Sequence, residues 1–145
     1  MSDGKTFDGK VRDAREGSVR MVAPDEARRL IEQGGVTVID VGDEWQLRER
    51  GTLPGARNIT HGELAIKADT KQEHRDPALQ DSNQKILLTC GGGGKATLSA
   101  AALQEMGFTD VSVLQGGCRG WQKAGYALEP YPGSDSATTA QDAGK

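Results

Sequence analysis

Several scarcities in this 145-residue chain each exclude a class of protein. There are two cysteines, Cys90 and Cys118, too few for a disulfide framework to replace a packed core. No apolar run approaches bilayer-spanning length, and the N-terminus lacks a secretory-signal pattern; a cytoplasmic protein with no membrane partner is expected. Positive charge is not in excess. Lys and Arg number 18 against 21 Asp and Glu, leaving a net charge of −3, the wrong balance for a nucleic-acid partner. The two histidines, His61 and His74, form no cluster with cysteine or carboxylate at metal-ligand spacing, so no metal and no cofactor are expected. No internal repeat is visible.

Glycine is what the chain does have, and four of them run consecutively. Leu87-Leu88-Thr89-Cys90-Gly91-Gly92-Gly93-Gly94-Lys95-Ala96-Thr97 reads as a buried strand from Ile86, a cysteine, a glycine loop and the start of a helix. Successive glycines can take positive φ and turn their N–H groups toward one point. The helix expected from Ala96 to Met106 carries Leu98, Ala101, Ala102, Leu103 and Met106 on one stripe, with Gly107 as its stop. The loop therefore opens onto a helix N-terminus, where unpaired N–H donors and the dipole favour an anion. Cys90 stands at the rim of that site, a seat for a thiolate nucleophile. The amides of Gly91, Gly92, Gly93, Gly94, Lys95 and Ala96 are the expected holders of substrate, with Lys95 as auxiliary cation. The competing view makes Cys90 an inert buried side chain and the glycines a plain connection; it leaves the entropic cost of four glycines unexplained.

Elsewhere, residues 1–18 read as an N-terminal extension: a loose polar start to Lys10, then a short helix from Val11 to Gly17. An edge strand is expected at Val19 to Val22. A helix begins at Pro24 and stops at Gly34-Gly35. Val36 to Val41 reads as a strand buried on both faces, Asp43 to Arg50 as a short charged helix, and Arg57 to Ile59 as a small strand after the Leu53-Pro54-Gly55-Ala56 turn. Gly62 to Lys67 resembles one helical turn, and Asp69 to Asn83 carries no clear pattern. Val111 to Leu114 is a further strand and Cys118 to Ala124 the last helix. From Tyr131 to Lys145 the chain reads as a disordered tail. Strands alternating with helices give one α/β domain over residues 19–130, with a mostly parallel central sheet flanked by helices in three layers. Ligands of such sheets bind beyond the carboxyl ends of the strands, where Cys90 falls.

Three segments resemble the rhodanese family of sulfurtransferases in its single-domain form. They are Val38-Ile39-Asp40-Val41 with Glu44-Trp45 and Leu53-Pro54-Gly55-Ala56-Arg57-Asn58-Ile59; the Cys90 loop and its helix; and Leu114-Gln115-Gly116-Gly117 with Trp121. The resemblance runs from about Val19 to Leu128. It implies a rhodanese-like fold and a Cys90 that takes a sulfane sulfur from thiosulfate or a persulfide, holds it as a persulfide, and yields it to cyanide, a thiol or a sulfur-accepting protein. The chain departs from the family pattern at four positions. Gly42 stands where arginine is usual, Thr52 where histidine is common, and Lys95 and Ala96 where arginine and a hydroxyl residue usually close the loop. Lysine keeps the charge without the planar two-point fork.

Two other enzyme readings fit less well. A rhodanese-fold phosphatase places arginine six positions after its cysteine, whereas here position six is Ala96 and the cation is at five. An ATP-binding G-x-x-x-x-G-K-[ST] loop fails at Thr89 and Ala96. A non-catalytic binding module is the third alternative, and Cys90 argues against it. Asp40 is expected in a supporting role, either bonding loop amides or capping the turn that follows. Glu44 and Arg48 read as an exposed helix pair, His61 and His74 as surface residues, and Trp121 as a core anchor.

Overall fold

The computed structural model describes residues 4–69, 71, 73 and 75–131. Five strands form one sheet in the order β1-β5-β4-β2-β3, every pairing parallel. These are β1 (Arg20–Val22), β2 (Val36–Asp40), β3 (Arg57–Asn58), β4 (Lys85–Thr89) and β5 (Asp110–Leu114). Among the described residues six helices alternate with them: α1 (Phe7–Glu16), α2 (Pro24–Gln33), α3 (Glu44–Arg50), α4 (Leu64–Ala68), α5 (Gly94–Glu105) and α6 (Gly117–Lys123). The mixed α/β class and parallel sheet expected from the sequence are what the chain adopts.

The central strands are apolar on both faces because helices cover both. Ile86 and Leu88 of β4 point into a core with Ala96, Ala100 and Leu103 of α5 and Leu64 and Ala68 of α4. Leu87, between them, points the other way, into a core with Ala27 of α2 and Trp121 of α6. Trp121 also donates its indole N–H to the Ala127 carbonyl at 2.9 Å, which holds the chain beyond α6 against the sheet.

Two expectations need correction. The N-terminal helix starts at Phe7, well before Val11, because the Thr6 hydroxyl accepts the Gly9 N–H at 2.9 Å and caps it. On α5 the buried residues are Ala96, Thr97, Ser99, Ala100 and Leu103, while Met106 is exposed and Leu98 only half-buried. The apolar stripe misleads because α5 is sandwiched, with the sheet on one side and α1 and α4 on others. Small residues suit that position, and a single apolar face is not required.

The Asp69 to Asn83 stretch holds no helix or strand among its described residues and is anchored by the fully buried Leu79. His74 and everything after Tyr131 lie outside the described residues. Among the described residues no helix is long and apolar enough to cross a membrane.

Candidate active site

Cys90 follows the last residue of β4 and is 4% exposed. Its sulfur accepts the Gly93 N–H at 3.1 Å. Helix α5 begins one residue later, so Gly94, Lys95 and Ala96 form its first turn, whose N–H groups have no intrahelical acceptor. The sequence-derived set is thus brought together at one point: thiol, loop amide and helix N-terminus.

The four glycines serve distinct purposes, and only one is the conformational one expected. Gly93 alone takes positive φ, at 100°. Gly92 is a matter of space, since a Cβ there would stand 2.3 Å from a guanidinium nitrogen of Arg119. Gly94 likewise seats the Phe7 ring, whose edge atoms would be 2.7 and 2.8 Å from a Cβ. At Gly91 the nearest group is Arg50, 4.0 Å away.

The loop is held from outside by α6. The Cys118 N–H donates to the Cys90 carbonyl at 2.8 Å and the Arg119 N–H to the Gly91 carbonyl at 3.0 Å. Gly117 makes this approach possible: its φ is 63°, and a Cβ would lie 2.5 Å from the Cys90 carbonyl oxygen. Engaging these two carbonyls fixes the path of the loop around the thiol.

Asp40 ends β2 beside the loop, and its carboxylate is fully buried. It accepts the Gly42 N–H at 2.9 Å, the Thr52 hydroxyl at 2.7 Å and the Arg50 guanidinium at 2.9 and 3.2 Å. Of the two roles expected for Asp40, the structure shows the turn cap. Gly42 leaves room for Arg50, whose guanidinium would be 2.9 Å from a Cβ there. Burial works against the Arg50 charge, but the bond to Asp40 and the fields of Cys118, Asp40 and Cys90 together outweigh it and hold the group above its ordinary value. Cys118 is fully buried beneath this network; burial first, then the Asp40 charge, pushes its thiol up to about 12. Cys118 therefore stays protonated at neutral pH.

A cleft of about 540 Å³ opens above Cys90. Lys95 lines it, as do three arginines that sequence reasoning missed: Arg12, Arg15 and Arg119. Among the described residues Asp8 is the one carboxylate on its wall. The signal for Arg119 was available, two residues beyond Gly116-Gly117. That for α1 was not, because nothing in a polar N-terminus says where it docks.

His61 is exposed and its Nδ1 lies 2.7 Å from the Ser99 hydroxyl. Partial burial, then the charges of Lys95 and Lys10, hold its pKa below the ordinary value. In NMR titration His61 is expected to protonate below about 6.5, and Lys95→Met should move the midpoint upward. Because the unfolded histidine binds its proton first, the chain should lose stability as pH falls from about 7 through the lowered value, not as it rises. Among the described residues, no three His, Cys, Asp or Glu side chains gather where they could hold a metal.

Residues 23–124 match the family profile of the rhodanese-like domain. The chain is similar to a tRNA uridine(34) hydroxylase of Teredinibacter turnerae, with 35% identity over 96 residues, 66% of this chain and only 29% of that protein. It is also similar to the thiosulfate sulfurtransferase GlpE of Pseudomonas aeruginosa, at 28% identity over 83% of this chain and 94% of that one. In solved structures, a Rhodopseudomonas palustris protein of unknown function, described as a possible tyrosine phosphatase, superposes with a TM-score of 0.81. It shares 24% identity and covers 89% of this chain and 98% of its own. That last likeness is one of fold.

Proposed function

This chain belongs to the rhodanese-like domain family, and on that premise we propose that it is a sulfurtransferase in which Cys90 is the nucleophile and persulfide carrier. The observation that carries the reading is the Cys90 sulfur at the floor of a cationic cleft, bonded by the Gly93 N–H at 3.1 Å and set below the first turn of α5. The similarity to a thiosulfate sulfurtransferase over nearly its whole length supports it.

In the first half-reaction the Cys90 thiolate attacks the outer, sulfane sulfur of the donor. A bond forms between the two sulfurs, the donor's own sulfur–sulfur bond breaks, and its electron pair leaves with sulfite (from thiosulfate) or with a thiolate (from a persulfide). The new terminal sulfur carries negative charge, which the loop N–H groups and α5 dipole stabilise. In the second half-reaction a thiolate or cyanide attacks that terminal sulfur and Cys90 departs as thiolate. Asp40 and Arg50 act by holding the ends of β2 and α3 in place beside the loop. Residues 19–130 are the proposed catalytic domain.

The deciding experiment is mass spectrometry of the intact chain after separate incubation with thiosulfate and with glutathione persulfide. A one-sulfur adduct mapped to Cys90 is expected; no adduct from either donor would refute the reading. Hydrolysis of an aryl phosphate that depends on Cys90 would favour a phosphatase instead.

Lys95 gives a graded test. If grip on the sulfonate limits turnover of thiosulfate, Lys95→Arg adds a second charge-assisted bond. One such bond at about 1.5 kcal/mol is roughly tenfold in kcat/KM when it forms in the transition state. Steady-state thiocyanate formation reads this directly, and an unchanged value would remove Lys95 from the donor site.

A further inference from the structure

The wall of the cleft facing the glycine loop is built by α1, which precedes the family-matched segment at residue 23. Phe7, Asp8, Val11, Arg12 and Arg15 share one face of that helix, and all five line the cleft. The helix is fixed in place rather than loosely laid on: Phe7 packs on Gly94 and Val11 is buried. Arg12, Arg15, Lys95 and Arg119 form no salt bridge within 4 Å among the described residues, although Arg12 lies in the field of Asp13, which itself pairs with Lys5; the described lining of the cleft thus holds four cations and one carboxylate.

Thiosulfate is a single small dianion and needs only the cations beside the loop. Phe7 and Val11 both reach the Gly94 position, and Arg15 stands one turn beyond Val11, about 6 Å along the helix axis at 1.5 Å per residue. A volume of about 540 Å³ is also in the range of a drug-sized ligand, not of one small anion. We propose that Arg12 and Arg15 form a second anion subsite, and that the sulfur donor is a low-molecular-weight persulfide bearing two or more negative groups away from its sulfur. The exposed Phe7 ring supplies apolar surface for the body of that donor.

This assignment rests on the sulfurtransferase reading. The reaction balances with the donor alone: Cys90 thiolate and R–S–SH give Cys90–S–SH and R–S⁻, one sulfur–sulfur bond formed and one broken. Lys95 and Arg119 face the sulfur end, and the α1 arginines face the distal charges.

The probes are glutathione persulfide, which carries two carboxylates, and the persulfide of glutathione dimethyl ester, which carries none. The wild-type chain should use the dicarboxylate at least about tenfold better in kcat/KM, the worth of one charge-assisted contact. In Arg12→Gln/Arg15→Gln the ratio should collapse to about twofold or less, through KM rather than kcat, and Arg12→Lys/Arg15→Lys should keep most of the preference. Equal use of both donors by the wild type, or an unchanged ratio in the glutamine variant, would overturn the subsite.

A binding arm separates this from the function itself. Glutathione sulfonate, which cannot transfer sulfur, should bind the wild type more tightly than the glutamine variant in calorimetry. Binding that follows the arginines without any sulfur adduct on Cys90 would sink the sulfurtransferase reading and spare the anion subsite. Adducts without charge preference would do the reverse.

Discussion

Cys90→Ser is expected to abolish sulfur transfer, lowering cyanide-dependent thiocyanate formation by at least about a thousandfold while leaving the fold intact. Serine fits the same volume at the end of β4, and its hydroxyl can still accept the Gly93 N–H. It cannot form a persulfide, so both half-reactions stop together. Circular dichroism and a thermal melt should match the parent. Cys118→Ser is the control. Cys118 is buried among Thr89, Asp40 and Trp121's helix and is held protonated, so its loss should leave most of the activity. Turnover retained in Cys90→Ser would refute its assignment as nucleophile, and a loss in Cys118→Ser equal to that in Cys90→Ser would make Cys118 a second catalytic thiol.

Among the described glycines, Gly117→Ala is expected to be one of the most damaging substitutions. Its φ of 63° is left-handed, which costs a non-glycine residue about 1–3 kcal/mol. The added Cβ would also stand 2.5 Å from the Cys90 carbonyl oxygen, 2.7 Å from the Gly93 nitrogen and 2.8 Å from the Gly91 carbonyl oxygen. These are backbone atoms of the site and cannot swing aside, so overpacking adds a further cost of about 1–3 kcal/mol. A total near 3 kcal/mol lowers the melting temperature of a chain this size by roughly 10 °C. Activity should fall further than stability explains, because relief of the clash moves the loop that positions the thiol. Gly107→Ala separates the two contributions: its φ is 97° but nothing lies within 4 Å of its Cβ position. That variant should lose about 1 kcal/mol and keep its turnover. Equal loss of activity in both would mean that the α6 clamp does not shape the site.

The geometry of the candidate loop was legible because its pattern is local. A strand end, a cysteine, glycines and a helix start lie within a dozen residues, and each has a short-range signature. The parallel sheet was legible for the same reason, from alternation of apolar strands and helices. The cleft was not. Its far wall comes from Phe7 to Arg15, a stretch too polar to announce itself, and what places it is a missing side chain at Gly94. The glycine run was read as a device for turning amides, and of the four only Gly93 takes positive φ; at Gly92 and Gly94 the Arg119 guanidinium and the Phe7 ring stand where a Cβ would be. Such distant steric reasons leave no local pattern. Arg50 escaped notice similarly, since its salt bridge to Asp40 spans ten residues and depends on Gly42 being small. On α5, burial on several sides erased the stripe that the apolar residues seemed to draw.

The order of strands also bears on when the thiol becomes competent during synthesis. β5 is the last strand made, yet it lies between β1 and β4, so the first strand has no partner in the sheet until the last has entered. Only after β5 comes α6, whose amides hold the carbonyls of Cys90 and Gly91. A ribosome-bound chain that has emerged only as far as α5 therefore carries the cysteine without the contacts from α6 that hold the loop around it. Such non-local closure has to wait until the last strand and helix have been synthesised. The thiol is thus present in the nascent chain before the clamp around it, and the proposed activity would wait for the final helix rather than for the residue assigned to it.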